Sequence, residues 1–147
     1  MDDPLKSRIT IRNLATHSSG IENAELSDDD RRKALEGVQT LTDHHMDLPG
    51  WKGVFWRGTR RDSPEDEPDS ITVARDLAPV IFAPGSRYDY SNPGLGMLTY
   101  CVTVALQDTP WQNVRQLLKD RISDPVGLSE NDWSIGYSLT FELEGIG

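Results

Sequence analysis

Cysteine is almost absent from this chain, because Cys101 is the only one among its 147 residues. A single cysteine cannot form an intrachain disulfide, and it cannot build a zinc knuckle, which needs paired thiolates. Cys101 falls in an apolar periodic stretch, where cysteine behaves as a small buried hydrophobe. The composition therefore excludes a disulfide framework and a cysteine-based zinc site.

Long apolar runs and an excess of positive charge are missing as well. No segment approaches the roughly 20 apolar residues that a membrane-spanning helix requires. The first residues, Met1-Asp2-Asp3-Pro4, are acidic and lack the apolar stretch of a signal peptide, so we expect none and leave the localisation open. The net charge of −9 disfavours binding to nucleic acid or to an anionic membrane surface.

Length and composition indicate one polar globular domain. The chain is long enough to bury a core but too short for two ordinary domains. Apolar residues make up 36% and charged residues 27%. We expect the acidic runs at 28–30 and 65–67 to be solvated surface, as charge runs usually are.

Helical periodicity dominates the pattern. Thr10 is the predicted N-cap of a short helix, and Gly20 suits a left-handed stop after it. Ser27 and the three aspartates that follow predict a helix over about 28–46, with Leu35, Val38, Leu41 and His45 on its apolar face. Further helices are predicted at 71–80, at 93–107 with Asn92 as the N-cap, and from Pro110 to before Pro125.

The connection between Asp47 and Ser70 is rich in glycine and proline, which predicts a long irregular loop with a short extended piece at 54–56. Its aromatic and arginine side chains leave two interpretations open, since they could wall a ligand cleft or pin the loop to the body. Residues 140–143 alternate like a strand but have no visible partner. The predicted fold class is mainly α, with long loops and little strand.

The most informative stretch is Tyr90-Ser91-Asn92-Pro93-Gly94, which follows Phe82-Ala83-Pro84-Gly85-Ser86. A phenol and a carboxamide two residues apart can lie side by side at the mouth of a helix. A lone Tyr-x-Asn is a weak signal, but two other blocks of the chain accompany this one.

Three blocks, in order, resemble the serine β-lactamase and penicillin-binding-protein family, in its class C and esterase branch. Residues 9–21 resemble its helix followed by Thr-His-Thr-Ser-Gly, residues 84–94 its Tyr-x-Asn block, and residues 114–128 its helix followed by Pro-Leu-Gly-Met. Residues 1–5 resemble the Leu-Asp-Asp-Pro that follows its catalytic helix. The resemblance implies a single partial domain over 1–147, the helical lobe of the family's α+β fold with the central sheet largely missing.

The chemistry that this resemblance implies is acyl transfer to or hydrolysis of an amide, ester or lactam. Tyr90 would transfer protons and Asn92 would bind the small-molecule or peptide-like acyl substrate, whereas Ser91, His17 and Gly20 would be structural. The family needs no cofactor. A tyrosine, with an ordinary pKa of about 10, serves as a base only beside cationic groups.

The chain departs from the family where the nucleophile should be. No serine is followed by lysine three residues later, and neither Lys-Thr-Gly nor His-x-Gly occurs. A base without a nucleophile catalyses nothing of this class, so we expect a fragment or truncated member that is inactive alone. The alternative is a non-catalytic helical binding module that uses the cleft beside Tyr90 and the loop from Trp51 to Arg61.

Two further expectations concern metals and association. Asp43-His44-His45 with Asp47 is similar to a phosphoesterase metal motif, but here it ends a predicted helix, so we expect no metal site and a partly buried His45. Without a sheet, the apolar face of the helix over 93–107 would stay exposed, so we expect marginal stability or self-association.

Overall fold

The computed structural model describes residues 3–38, 44–59, 66–111 and 114–129, and helices dominate these ranges. Extended pairing there is limited to an antiparallel bridge between Ile21 and Val80. This confirms the prediction of a mainly α structure with little strand. The α-helices of these ranges are α1 Ile11–Ala15, α2 Asp28–Leu35, α3 Trp51–Arg57, α4 Ser70–Thr72, α5 Asn92–Leu106 and α6 Val114–Leu118.

Shorter helical turns complete the backbone. Single 3₁₀ turns lie at Lys6–Arg8 and His45–Asp47, and π-helical turns at Val73–Leu77 and Lys119–Ser123 continue α4 and α6. The helix predicted over 71–80 is therefore present with a shorter end. The predicted strand at 140–143 lies outside the described residues. Within the described part, no helix has the length and apolar character to cross a bilayer.

The chain divides into two compact units, Met1–Leu98 and Thr99–Gly147. The core of the first unit contains Ala24, Phe55, Val73 and Ala74, with four partly buried side chains packed against them: Trp51, Val54, Trp56 and Met97. The single partial domain inferred for 1–147 stays a prediction.

The N-terminal cap of α2 is confirmed, but its predicted length is wrong. The Asp30 N–H donates to Ser27 Oγ at 3.1 Å, as predicted for the cap. The helix ends at Leu35, because Gly37 adopts a φ of +72° and the Val38 N–H turns back to the Lys33 carbonyl at 2.9 Å. Leu35 is consequently 91% exposed, so the predicted apolar stripe is wrong; Leu41 lies outside the described residues.

The irregular loop predicted after Asp47 contains α3 instead, so the extended piece at 54–56 is wrong. A Cβ on Gly53 would collide with the Leu48 carbonyl oxygen, and the missing side chain therefore lets α3 pack on the preceding turn. Phe55 enters the core, and Trp56 Nε1 donates to the Ala24 carbonyl at 3.0 Å. These contacts attach the segment to the body of the protein, as the second of the two interpretations of its aromatic side chains predicts.

Candidate functional site

The segment that carries Tyr90 lies against the turn that follows α1. Four backbone hydrogen bonds of 2.8–2.9 Å join the two segments, from the N–H groups of Asp89, Gly85, Ile81 and Glu22 to the carbonyls of His17, Ser18, Gly20 and Pro79, respectively. This irregular ribbon fixes the approach to the tyrosine motif, and it joins two of the blocks that carry the family resemblance.

Two left-handed residues shape the turn. His17 has a φ of +51°, and the Ser18 N–H closes α1 on the Asn13 carbonyl at 2.8 Å, so His17 and not Gly20 ends the helix. Gly20 has a φ of +83°, and a Cβ there would overlap the Phe82 carbonyl oxygen. The glycine is needed for the close approach of the ribbon rather than for the helix stop. A left-handed conformation is uncommon for a residue other than glycine, and it indicates that the contacts around His17 impose this conformation.

His17 holds the tyrosine segment through its ring. Its imidazole stacks on the Tyr90 ring, with 4.5 Å between centroids and 29° between planes, and it meets Tyr88 edge-on at 5.8 Å. Its Nδ1 accepts the Ser91 backbone N–H at 3.3 Å. Because an accepting Nδ1 carries no hydrogen, the tautomer consistent with this contact has its hydrogen on Nε2.

Tyr90 is 44% exposed, and its hydroxyl donates to Asn92 Oδ1 at 3.1 Å. The phenol and the carboxamide thus lie side by side at the start of α5. The His17 ring packs against one face of the tyrosine ring, and the Asn92 amide accepts a hydrogen bond from the tyrosine hydroxyl.

Ser91 is the N-cap of α5, which corrects the prediction that Asn92 caps this helix. Its Oγ accepts the Gly94 N–H at 3.0 Å, and its carbonyl accepts the Leu95 N–H at 3.1 Å. Ser91 is only 1% exposed. A Cβ on Gly94 would crowd Ser91 and the Oγ of Ser19, so the glycine allows the helix to start against this buried turn.

Asn92 is bound on both ends of its amide. Besides accepting from Tyr90, its Nδ2 donates to Asn23 Oδ1 at 3.3 Å and to Glu25 Oε1 at 3.2 Å. Its backbone N–H donates to the same Asn23 oxygen at 3.0 Å. The residue predicted to bind substrate is therefore part of a hydrogen-bonded chain of side chains.

That chain continues through residues that sequence reasoning missed. Glu25 Oε2 lies 2.7 Å from His45 Nε2, and the His45 ring stacks on Trp56 at 4.8 Å. His45 is exposed rather than partly buried, which corrects that expectation. Glu25 is 67 positions from Asn92, so no local spacing could have signalled the contact.

A buried lysine anchors the segment that contains Asn23 and Glu25. Lys52 Nζ donates to the Glu25 carbonyl at 2.9 Å and to Asp30 Oδ2 at 2.6 Å, and it lies 3.1 Å from Glu22 Oε1. Burial alone raises the pKa of Asp30, but hydrogen bonds from Lys52 and Ser27 outweigh it and hold that pKa well below its ordinary value.

The structure describes the metal motif considered at residues 43–47 only in part. Asp43 lies outside the described residues, and in the described part His45 contacts Glu25 while His44 lies 3.5 Å from Asp47. No group of three or more His, Cys, Asp or Glu residues in that part could hold a metal ion.

One comparison with known proteins gives a match. A family model described as Beta-lactamase matches residues 1–136 of the 147. No curated protein and no solved structure matches the chain.

Proposed function

The chain belongs to the Beta-lactamase family, and from that premise we propose that it carries one edge of an acyl-transfer site, binds acyl compounds there and does not turn them over alone. The compounds are small-molecule or peptide-like amides, esters or lactams. Tyr90 is the proton-transfer residue of this edge and Asn92 its substrate-binding residue.

The observation that carries the proposal is the contact between the Tyr90 hydroxyl and the Asn92 amide at the start of α5. The two groups are 3.1 Å apart, and Tyr90 is 44% exposed, so a solute can reach the phenol. The His17 ring beneath Tyr90 and the Ser91 cap beside it limit its movement. Acyl-transfer chemistry needs a proton-transfer group and a polar binding group held close together, and Tyr90 and Asn92 are candidates for these two roles.

Ser91 is unsuited to be the nucleophile of this site. Its hydroxyl is buried and already accepts the Gly94 N–H, so it cannot approach a carbonyl carbon without uncapping α5. The family's nucleophile stands in a Ser-x-x-Lys turn, and no such spacing occurs in the sequence. This supports binding without turnover, because Tyr90 has no serine hydroxyl of that kind to activate.

The direct test is incubation of the chain with a chromogenic lactam and with a p-nitrophenyl ester. We expect hydrolysis no faster than in buffer, because the sequence has no Ser-x-x-Lys to supply an activated serine. Turnover that disappears in Tyr90→Phe would show an active chain and contradict the proposal. Turnover that survives in Tyr90→Phe would point to a different site and also contradict it.

Binding is tested separately by titrating isotope-labelled chain with acyl ligands and following its amide resonances. We expect the largest shifts at Tyr90, Ser91 and Asn92. A ligand that shifts resonances elsewhere, or none at all up to its solubility limit, contradicts the assignment of this edge.

A further inference from the structure

The His17 side chain joins the turn after α1 to the tyrosine segment through its lone pair and its ring face. Its Nδ1 accepts the Ser91 backbone N–H at 3.3 Å. Its ring stacks on Tyr90, with 4.5 Å between the centroids, and meets Tyr88 edge-on at 5.8 Å. The side chain that packs on the phenol therefore also binds the residue that caps α5.

The Ser91 N–H lies where a replacement acceptor is hard to supply. Ser91 is 1% exposed, so water has little access to it. A buried N–H that loses its acceptor is left unsatisfied, which costs more than the hydrogen bond contributes while both partners are present. The lone pair on Nδ1 of His17 is therefore needed to keep the tyrosine segment in place.

Protonation of His17 removes that lone pair. The imidazolium form carries a hydrogen on both ring nitrogens and accepts no hydrogen bond. Turning the ring over restores no acceptor, because a C–H then takes the place of Nδ1. The Nδ1 hydrogen would face the Ser91 N–H at the N-terminus of α5, where the positive end of the dipole of a 15-residue helix also disfavours a cation.

The other groups around His17 compensate only weakly. An imidazolium would gain a cation–π contact with Tyr90, but such contacts are weak at exposed sites, and Tyr90 is 44% exposed. The negative end of α1 precedes His17, but α1 has only five residues and carries Arg12 in its last turn. Arg87 and Asp89, on the tyrosine segment, lie 3.6 Å from each other. Within the described residues, no carboxylate lies at ion-pairing distance from the His17 ring.

We propose that His17 is a positioning residue that holds this edge only as the neutral imidazole, so that its protonation releases Tyr90 and weakens the binding of acyl compounds. The inference rests on the proposed function, since it names a regulation of the same site. Histidine changes its charge between about pH 5 and pH 8, so the edge is held at the upper end of this range and released at the lower end. His17 acts through Ser91 and Tyr90, without touching the ligand.

The first test needs no ligand. Resonances of the isotope-labelled chain are followed from about pH 8 to about pH 5, and the carbon-bound hydrogens of the His17 ring report its protonation. We expect the Ser91 amide to shift upfield with the same midpoint as it loses its acceptor, and the nuclear Overhauser contacts between the His17 and Tyr90 rings to weaken. If the His17 ring titrates while the Ser91 amide and the ring contacts stay unchanged, the inference is wrong.

The second test measures the binding of N-phenylacetyl-glycinamide, an acyl amide that stays uncharged over this range. We expect it to bind about tenfold more weakly at the acid end than at the alkaline end, as the loss of one hydrogen bond implies. Equal affinity at the two ends overturns the inference and leaves the proposed acyl site standing. If the ligand does not bind at this edge even at the alkaline end, the proposed function fails, and the ligand-free titration decides on His17 by itself.

Two substitutions separate the acceptor from the ring. His17→Asn offers Oδ1 near the position of Nδ1 and takes up no proton, and asparagine tolerates the φ of +51°. We expect the pH dependence of binding to disappear in it. His17→Phe keeps a ring against Tyr90 but has no acceptor, so it should bind the ligand at the alkaline end as weakly as the wild type does at the acid end.

The matched control is His44→Asn, which removes a histidine that lies 3.5 Å from Asp47 and should keep the wild-type pH dependence. Circular dichroism and thermal melting at both ends of the range identify which variants are folded. Wild-type pH dependence in folded His17→Asn overturns the assignment, because another group would then carry it. Its loss in His44→Asn, or tight binding by folded His17→Phe, overturns it as well. If phenylalanine does not fold at this left-handed position, His17→Asn and the ligand-free titration decide.

Discussion

Two neighbouring aspartates of α2 form ion pairs of opposite kinds. Asp30 is buried, so the expectation that the acidic run at 28–30 is solvated surface is wrong at this residue. It pairs with Lys52, whose side chain is 6% exposed, at 2.6 Å. Asp29 lies on the outer face and pairs with Arg32 and with Lys33, whose side chains are 64% and 46% exposed. Surface pairs of the second kind contribute little to stability. Removal of one partner from a buried pair is strongly destabilising, because it leaves an uncompensated charge in the interior.

The buried pair also supports the candidate site, and the surface pair does not. Lys52 holds the Glu25 carbonyl as well as Asp30, and it lies beside the Glu22 carboxylate. It therefore fixes the segment from which Asn23 and Glu25 reach Asn92. The position of a charge, rather than the number of charges, therefore links α2 and α3 to the candidate site at Tyr90.

The largest effect is expected from Lys52→Met. The methionine fills a similar volume but leaves Asp30 buried without its cation, so the free energy of unfolding should fall by about 3–5 kcal/mol. Urea denaturation followed by circular dichroism measures it. The matched control is Lys33→Met, which breaks the exposed pair and should leave the denaturation midpoint unchanged. Equal losses in the two variants would contradict the comparison.

Two left-handed glycines, Gly20 and Gly37, test the same difference between a buried and an exposed position. Gly20→Ala forces a side chain into a left-handed residue and against the Phe82 carbonyl, so it should cost at least about 2 kcal/mol. Gly37 is also left-handed, with a φ of +72°, but a Cβ there would meet no atom of the described residues within 4 Å. Gly37→Ala should therefore cost only about 1 kcal/mol. The unfolding free energies of the two variants check the difference, and a larger loss at Gly37 would refute the role given to the ribbon.

Acid should weaken the buried pair. The pKa of Asp30 is lower in the folded chain than its ordinary value, so its pair contributes stability above the unfolded-state pKa of about 3.9, and this contribution is lost as the pH falls below it. Asp30→Asn should lower stability at pH 7 but flatten its decline between about pH 5 and pH 3. Thermal melts across this range measure the slope. A decline as steep in Asp30→Asn as in the wild type would assign the acid sensitivity to other carboxyls.

Sequence reasoning succeeded where the signal is local. The pattern predicts Thr10 and Ser27 as N-caps, and the structure confirms both, because a capping side chain reaches only to the third residue beyond it. The fold class and the family followed from helical periodicity and from three ordered blocks. The roles of Tyr90 and Asn92 remain predictions, although the structure brings the two side chains into contact.

The failures came where tertiary contacts override a local pattern. Val54-Phe55-Trp56 has the β-branched and aromatic character of a strand, yet burial of Phe55 and the close approach at Gly53 make it a helix. Leu35 and Val38 had helical spacing, but Gly37 ends α2 between them. The contacts of Glu25, His45 and Lys52 join residues 20 to 67 positions apart, and no periodicity encodes them.

The smallest effect is expected at Thr103. Unlike Asp30 and Lys52, it is a buried polar residue whose side chain has no hydrogen-bond partner within the described residues. Thr103 is 1% exposed. Valine has nearly the same shape and no hydroxyl to desolvate, so Thr103→Val should raise the free energy of unfolding by about 1 kcal/mol. Urea denaturation checks the sign, and Thr72→Val, which removes a hydroxyl bonded to Asp69 at 2.8 Å, is the control that should not stabilise. A loss in Thr103→Val would mean that this hydroxyl is bonded after all. A gain would show that burying this hydroxyl without a partner lowers stability, in contrast to Asp30 and Lys52, which are buried as partners.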